Sequence, residues 1–327
     1  MNKTPIQEAA DFLGRYDSYY LIGHKEPDGD CVGSQLALAS FLKRHGKEAF
    51  LVSAGPFAKV EIAPYAPLFA QGLPQNPGST AACVILDCSS ISRTGSVADT
   101  IPAGMPIAFI DHHDAGQSMG DVLCIDTSAP AVAYLVQLVM EAAADGPNQE
   151  EAQFLLFGIR TDTGFFRHLD DGSASVFEAV SRLVAVGASP KKAFAMMNGG
   201  KSFESRQFMG LLLGRAELHY GGRLISTYAG PEDLDRFSLV SRDSDMLYQL
   251  LMTVEGVEAV FVVRQESLED CTVGFRSKER IDVAALARSF GGGGHRLAAG
   301  LHIRGNALAL KATIVDAFKP VFDAIEL

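Results

Sequence analysis

The chain has 327 residues, 47% of them hydrophobic and 20% charged, which is apolar material for two cores rather than one. A formal net charge of −11 argues against a long nucleic-acid track, and no apolar run reaches the roughly 18 residues that would span a bilayer. Five scattered cysteines, an odd number without CxxC spacing, argue against a disulfide framework and for reduced thiols in a cytoplasm.

The N-terminus, MNKTPIQE, lacks the apolar core of a signal peptide, and residues 4–16 form an amphipathic helix with Ile6, Ala9, Ala10 and Leu13 on one face. Residues 19–23 read as a buried parallel strand that ends in HKEPDGD, residues 24–30. Pro27 should keep Glu26 extended, Gly29 permits a tight turn, and Asp30 falls where the helix over 32–42 wants its N-cap. On its own this stretch also fits a plain strand-to-helix turn with a surface histidine. A second strand follows at 48–53, then an irregular Pro- and Gly-rich excursion over 56–78. A strand at 81–87 delivers Asp87, and another at 106–111 delivers Asp111-His112-His113. A short strand at 122–126 and a helix over 129–144 come next. The helix from 149 runs into GIRTDTG, with Asp162 at its closing turn, and a further helix covers 173–186. Strands alternating with helices predict a doubly wound parallel sheet for residues 1–187. Residues 188–216, with a helix at 203–215, read as a helical connection. Strands at 223–228, 259–264 and 271–276 with helices at 244–254, 283–290 and 308–325 predict a smaller mixed α/β domain over 217–327.

His24, Asp28, Asp30, Asp87, Asp111, His112, His113 and Asp162 come from four element ends on one predicted sheet edge, where open α/β sheets place ligands. A single carboxylate at a strand end is commonplace; four such events together point to a metal site. The donors exceed one ion's needs, so two cations sharing a carboxylate is the natural arrangement. Imidazole with carboxylate suits Mn²⁺ ahead of Mg²⁺. Two such ions, about 3.5–4 Å apart, supply hydroxide and clamp an in-line displacement at phosphorus. Between 276 and 304 six basic residues face two acidic ones, a local patch for a phosphorylated ligand despite the overall charge. Gly291–Gly294 offers unobstructed backbone N–H groups beside His295, and Arg276 can fork to a phosphate or pair with Glu279 or Asp282. Arg93 could reach a phosphate or remain a solvated loop arginine. Cys31, Cys83, Cys88 and Cys124 read as small core fillers, although Cys31 and Cys88 lie beside the metal motifs.

HxxxDxD, the Asp ending a strand, DHH, and the Asp of GIRTDTG together resemble the four motifs of the DHH phosphoesterases. FRSK at 275–278 and GGGGHRLAAG at 291–300 resemble the DHHA1 domain. At this length the chain looks most like the oligoribonuclease/pAp-phosphatase (nanoRNase) branch. The resemblance implies one Mn²⁺ on His24, Asp28 and Asp87, the other on Asp30, Asp87, His112 and Asp162, with Asp87 bridging. It implies that His113 faces the scissile phosphate, with Asp111 bracing the histidine pair or making a simple loop hydrogen bond. It also implies that Arg276, Gly292, Gly293, Gly294 and His295 bind substrate. The expected substrates are short single-stranded RNA and 3′-phosphoadenosine 5′-phosphate, with no membrane and no long duplex as partner, and a homodimer is compatible with it. Rival readings are a cyclic-di-AMP or pApA phosphodiesterase, a RecJ-like exonuclease, an inorganic pyrophosphatase, and a non-catalytic DHH binding protein. Two segments depart from the family pattern, DAG at 114–116 and APAVAY at 129–134, and both bear on the substrate cleft more than on the metals.

Overall fold

The runs read as buried strands pair in parallel. In the computed structural model, which describes residues 3–113, 119–234, 236–237 and 244–325, the chain forms two compact units, Met1–Gly200 and Lys201–Leu327. The DAG segment at 114–116 lies outside the described residues. The first unit contains, in order, α1 (Pro5–Arg15), β1 (Ser18–Ile22), α2 (Gly29–Arg44), β2 (Glu48–Val52), β3 (Ala81–Leu86), β4 (Ile107–Asp111), β5 (Val122–Ile125), α3 (Val132–Ala143), α4 (Gln149–Asp162), α5 (Ala174–Ala185) and α6 (Pro190–Asn198). The strand order is β2-β1-β3-β4-β5, all parallel. From β1 the sheet grows one way to β2 and the other way to β3, so the switch point lies between the ends of β1 and β3.

Period-2 alternation sorts the strand side chains. Tyr19, Leu21, Ala82, Val84, Leu86, Ala108 and Ile110 join the core shared with α1, α2 and α3. Tyr20, Ile22, Cys83, Ile85, Ile107 and Phe109 form the opposite layer, closed by the 3-10 turns of Ile91–Thr100 through Ile91 and Val97. The excursion over 56–78 holds a 3-10 turn at Ala63–Leu68 and a parallel bridge from Val52 to Ala70. Helix starts follow their caps: Thr4 Oγ1 accepts from Gln7 N before Pro5, and Asn148 with Glu151 makes a capping box for α4. Helices α2 and α4 cross closely because both carry glycine at the contact. A Cβ at Gly33 would lie 2.7 Å from the Phe154 carbonyl, and one at Gly158 would lie 2.7 Å from Ala133 Cβ and 2.8 Å from Asp30 Oδ1.

The second unit contains α7 (Phe203–Gly214), β6 (Glu217–His219), β7 (Leu224–Ala229), α8 (Ser244–Met252), β8 (Ala259–Gln265), β9 (Asp270–Ser277), α9 (Val283–Ser289), β10 (Gly293–His295), β11 (Ala298–Arg304) and α10 (Ala307–Ile325). Its sheet, β10-β11-β9-β8-β7-β6, is mixed: β7 and β8 are parallel and the remaining neighbours antiparallel. Phe261, Val263, Val273 and Phe275 pack with α9 and α10, whereas Val260 and Val262 pack with α7 and α8. The glycine run is therefore partly strand rather than open loop. No helix among the described residues is long and apolar enough to cross a membrane.

Candidate metal centre

The three segments that follow β1, β3 and β4 meet the end of α4. His24 comes directly after the β1 turn, and its Nδ1–H donates to the Lys25 carbonyl at 2.8 Å, which leaves Nε2 as the free ring nitrogen. That Nε2 lies 3.5 Å from Asp87 Oδ2 and 4.0 Å from Asp28 Oδ1. The expectation for the turn needs two corrections. Asp28, not Asp30, is the N-cap of α2, accepting from the backbone N–H of Asp30 and Cys31 at 3.0 and 3.1 Å. Glu26 is not extended but left-handed, φ 54°, with its N–H donating to Gly55 O. Asp30 instead faces inward, wholly buried, and caps another helix: it accepts from Val132 N at 2.6 Å and Ala133 N at 2.9 Å, where the N-cap of α3 is Ala131 and carries no acceptor.

Asp87 stands at the switch point in the left-handed region, φ 59°, a conformation aspartate tolerates better than most residues. It is 2% exposed, and its Oδ1 has no hydrogen-bond partner while lying 3.7 Å from both His112 Nε2 and His113 Nδ1. His112 repeats the arrangement of His24. Its Nδ1 is 3.1 Å from the Ala129 carbonyl, and its buried Nε2 points at Asp162 Oδ2, 3.2 Å away but out of hydrogen-bond alignment. Asp111, fully buried, accepts from His112 N and His113 Nδ1, both at 2.8 Å, so one carboxylate orients the pair. The His113 side chain is 35% exposed against 15% for His112, so His113 is the more open ring of the pair.

Burial and crowding set the electrostatics. Desolvation, followed by the charges of Asp162, Asp87 and Asp28, pushes Asp30 well above the usual carboxylate range. Asp87 is also raised, by burial first and then by Asp28 and Asp162, against the opposing pull of His24. Burial works against a charged His112, yet Asp162 and Asp87 outweigh it and lift it to about 9; His24 is raised in the same sense by Asp87 and Asp28. Carboxylates that resist ionising side by side, an orphaned buried oxygen, and two imidazoles whose Nε2 faces carboxylates are a donor set that divalent cations would satisfy. Three donor groups lie each within 4.8 Å: His24, Cys31 and Asp87; Asp87, His112 and His113; Asp30, His112 and Asp162. Asp87 belongs to two of them. Cys31, read from the sequence as core filler, is the member that reasoning missed; its position one residue after the second aspartate was the available signal.

In the second unit the register pairs Arg276 with Ala298 and Ala298 with His295, so the three side chains share one sheet face across adjacent strands. Arg276 stacks over the Tyr248 ring at 4.7 Å and lies 3.7 Å from Asp245, rather than pairing with Glu279 or Asp282. Gly292 and Gly294 are required by the hairpin itself: a Cβ would meet the Gly300 carbonyl at 2.5 Å and Ala299 Cα at 2.6 Å respectively. Gly293 has open space where its Cβ would stand. Arg93 is exposed, and its carbonyl accepts from Lys25 N at 2.9 Å, tying its loop to the His24 turn.

The DHH family N-terminal domain model matches residues 18–159 and the DHHA1 domain model residues 237–322. The chain is similar to the bifunctional oligoribonuclease and PAP phosphatase of Thermus thermophilus, 32% identical over 88% of this chain and 84% of that protein. It is also similar to a cyclic-di-AMP phosphodiesterase of Listeria monocytogenes, 24% identical over 98% of this chain but 49% of that longer protein. Among solved structures, an exopolyphosphatase-related protein from Bacteroides fragilis superposes with a TM-score of 0.79 at 19% identity, covering 99% of this chain and 100% of that one, which speaks to fold alone.

Proposed function

Since the chain belongs to the DHH phosphoesterase family and carries a DHHA1 domain behind its DHH domain, we propose that it hydrolyses small nucleotides with two bound divalent cations. The observation that carries this reading is Asp87, buried, left-handed, and unpartnered at Oδ1 among three histidines. His24, Asp28 and Asp87 would hold one cation; Asp30, Asp87, His112 and Asp162 would hold the other. Mn²⁺ suits these nitrogen and oxygen donors better than Mg²⁺. When bound, the ions supply Lewis acidity and an activated water, so no separate protein base is needed.

The chain's own residues then orient and bind. Asp111 fixes His113 through Nδ1 and leaves Nε2 as the ring atom available to the scissile phosphate. The backbone carbonyls of Lys25 and Ala129 set the ring orientation of His24 and His112 in the same way. Asp30, locked to the first turn of α3, cannot swing out of the centre. Residues 1–187 carry this chemistry, and residues 217–327 bind the remainder of the nucleotide through Arg276, His295 and the amides of Gly292–Gly294. The substrates we favour are short oligoribonucleotides and 3′-phosphoadenosine 5′-phosphate, as in the name of the Thermus relative. The Listeria relative supports a second reading, a cyclic-di-AMP or pApA phosphodiesterase. Five buried free cysteines fit a reducing compartment, and we place the protein in the cytoplasm.

The test is turnover of the purified protein on those four substrates after chelation and re-addition of Mn²⁺, Mg²⁺, Zn²⁺ or Ca²⁺. Activity should vanish with chelator and return best with Mn²⁺; undiminished turnover in excess chelator would sink the metal reading. The ratio of rates on the four substrates decides between the two substrate classes.

A further inference from the structure

We propose that the Cys31 thiol is a donor at the His24/Asp87 cation position, giving a centre otherwise built of imidazole and carboxylate an affinity for thiophilic divalent cations. This rests on the metal-centre reading above and adds to it a ligand that neither the DHH motifs nor the sequence assigned.

The geometry is specific. Sγ, His24 and Asp87 present donor atoms that all lie within 4.8 Å of one another. Cys31 sits in the first turn of α2 and is wholly buried. Its sulfur occupies space that only glycine leaves at the end of β1, since a Cβ at Gly23 would lie 2.1 Å from Sγ. Gln35, one helical turn on, holds it there: Sγ–H donates to Gln35 Oε1 at 3.5 Å, while Gln35 Nε2 donates to the carbonyls of Leu21 at 2.8 Å and Val52 at 3.1 Å. An amide tied to two strand carbonyls cannot turn away, so the thiol is presented in one direction. The cluster is more than a thiol, because Asp87 within it is 2% exposed and turns its Oδ2 to within 3.5 Å of His24 Nε2.

Sulfur is a soft donor. It adds little for Mn²⁺ or Mg²⁺ and much for Zn²⁺, Cd²⁺ or Co²⁺. On coordination the S–H bond breaks, a sulfur–metal bond forms, and the proton leaves to solvent. The same position would then accept a hard ion for turnover and retain a soft one.

The experiment titrates Co²⁺ into chelator-treated full-length protein and follows its electronic spectrum. Visible d–d bands report occupancy, and a near-ultraviolet thiolate-to-cobalt charge-transfer band reports sulfur. We expect both in the wild type. In Cys31→Ser and Cys31→Ala the charge-transfer band should disappear while d–d bands persist. Cd²⁺ affinity should fall by at least the order of 10- to 100-fold that losing even an outer-shell partner costs, with Mn²⁺ affinity changed far less. Occupancy without a charge-transfer band in the wild type overturns the thiol ligand and leaves the metal centre standing. A band that survives both substitutions assigns the sulfur to another cysteine and equally overturns it. No cobalt spectrum at all removes the metal centre and this inference together. Should both variants fail to fold, cadmium X-ray absorption on the wild type decides through the presence or absence of a sulfur neighbour.

Discussion

At the scale of single residues the centre turns on Asp87. It is shared by two donor groups and stands in the left-handed region at the switch point. Asp87→Asn keeps the volume and the tolerance for a left-handed backbone while removing the charge. It should release both cations and reduce kcat by at least the ~10²–10³-fold that loss of one stabilising group costs elsewhere. Metal analysis alongside turnover checks this; two retained ions with near-normal rate would refute the shared role. The thiols give a second expectation. Burial pushes Cys83, Cys88 and Cys124 up to about 12, and raises Cys31 and Cys271 in the same direction. Their thiolates, the reactive form, are therefore scarce well beyond the usual thiol range near 8.5. Between about pH 7 and pH 9 a small-molecule thiol should react progressively faster with a disulfide reagent, whereas the native protein should stay unlabelled. Five thiols should appear only in denaturant. Rapid native labelling would show that the packing around them in one unit or the other opens readily.

Among elements, the crossing of α2 and α4 brings Asp30 and Asp162 to one centre, and glycine makes that crossing short. Gly33→Ala would press a methyl against backbone, the Phe154 carbonyl at 2.7 Å and Gly158 N at 3.3 Å, which cannot yield as a flexible side chain would. Overpacking of this kind costs about 1–3 kcal/mol, and about 2–4 °C of Tm per kcal/mol in a unit of this size. Gly210→Ala in α7 meets open space and should instead stabilise by about 0.5–1 kcal/mol. Thermal denaturation of the two variants with the wild type reads both signs. The contrast also shows what the sequence could and could not disclose. His24, Asp87 and Asp111–His113 were legible because each ends an apolar run, and the end of a parallel strand has one place to be. The division of labour between Asp28 and Asp30 was not legible. Both flank Gly29, and the choice is made by Val132 and Ala133, whose amides claim Asp30 from more than a hundred residues away. Likewise β10 was hidden because glycine carries no strand preference of its own; its pairing with Ala298–Gly300 imposes the conformation. Cys31 was read as packing because a buried cysteine ordinarily is; that its sulfur lies within 4.8 Å of donor atoms of His24 and Asp87 depends on the fold, which seats it against Gly23.

For the molecule as a whole, the reading we propose puts chemistry in the first unit and substrate grip in the second, and kinetics can separate them. Arg276→Ala should raise KM on a dinucleotide by the ~1.5–3 kcal/mol of a charge-assisted contact, about 10- to 150-fold. A phosphodiester too small to reach past the metals should barely register the change. Equal losses on both substrates would mean that Arg276, stacked on Tyr248, supports the fold of its own sheet instead. The switch-point topology has one more consequence, for folding. The donors are gathered from the turn after β1, the turns after β3 and β4, and the far end of α4, segments that an unfolded chain holds apart. A cation liganded by all of them behaves as a removable cross-link that only the native chain can close. Free ion at a hundred times its dissociation constant then adds about 2.7 kcal/mol to the native state. Cation supply would thus add to the stability of the fold as well as support turnover, and the chelated protein should stay folded but melt at a lower temperature than the loaded one.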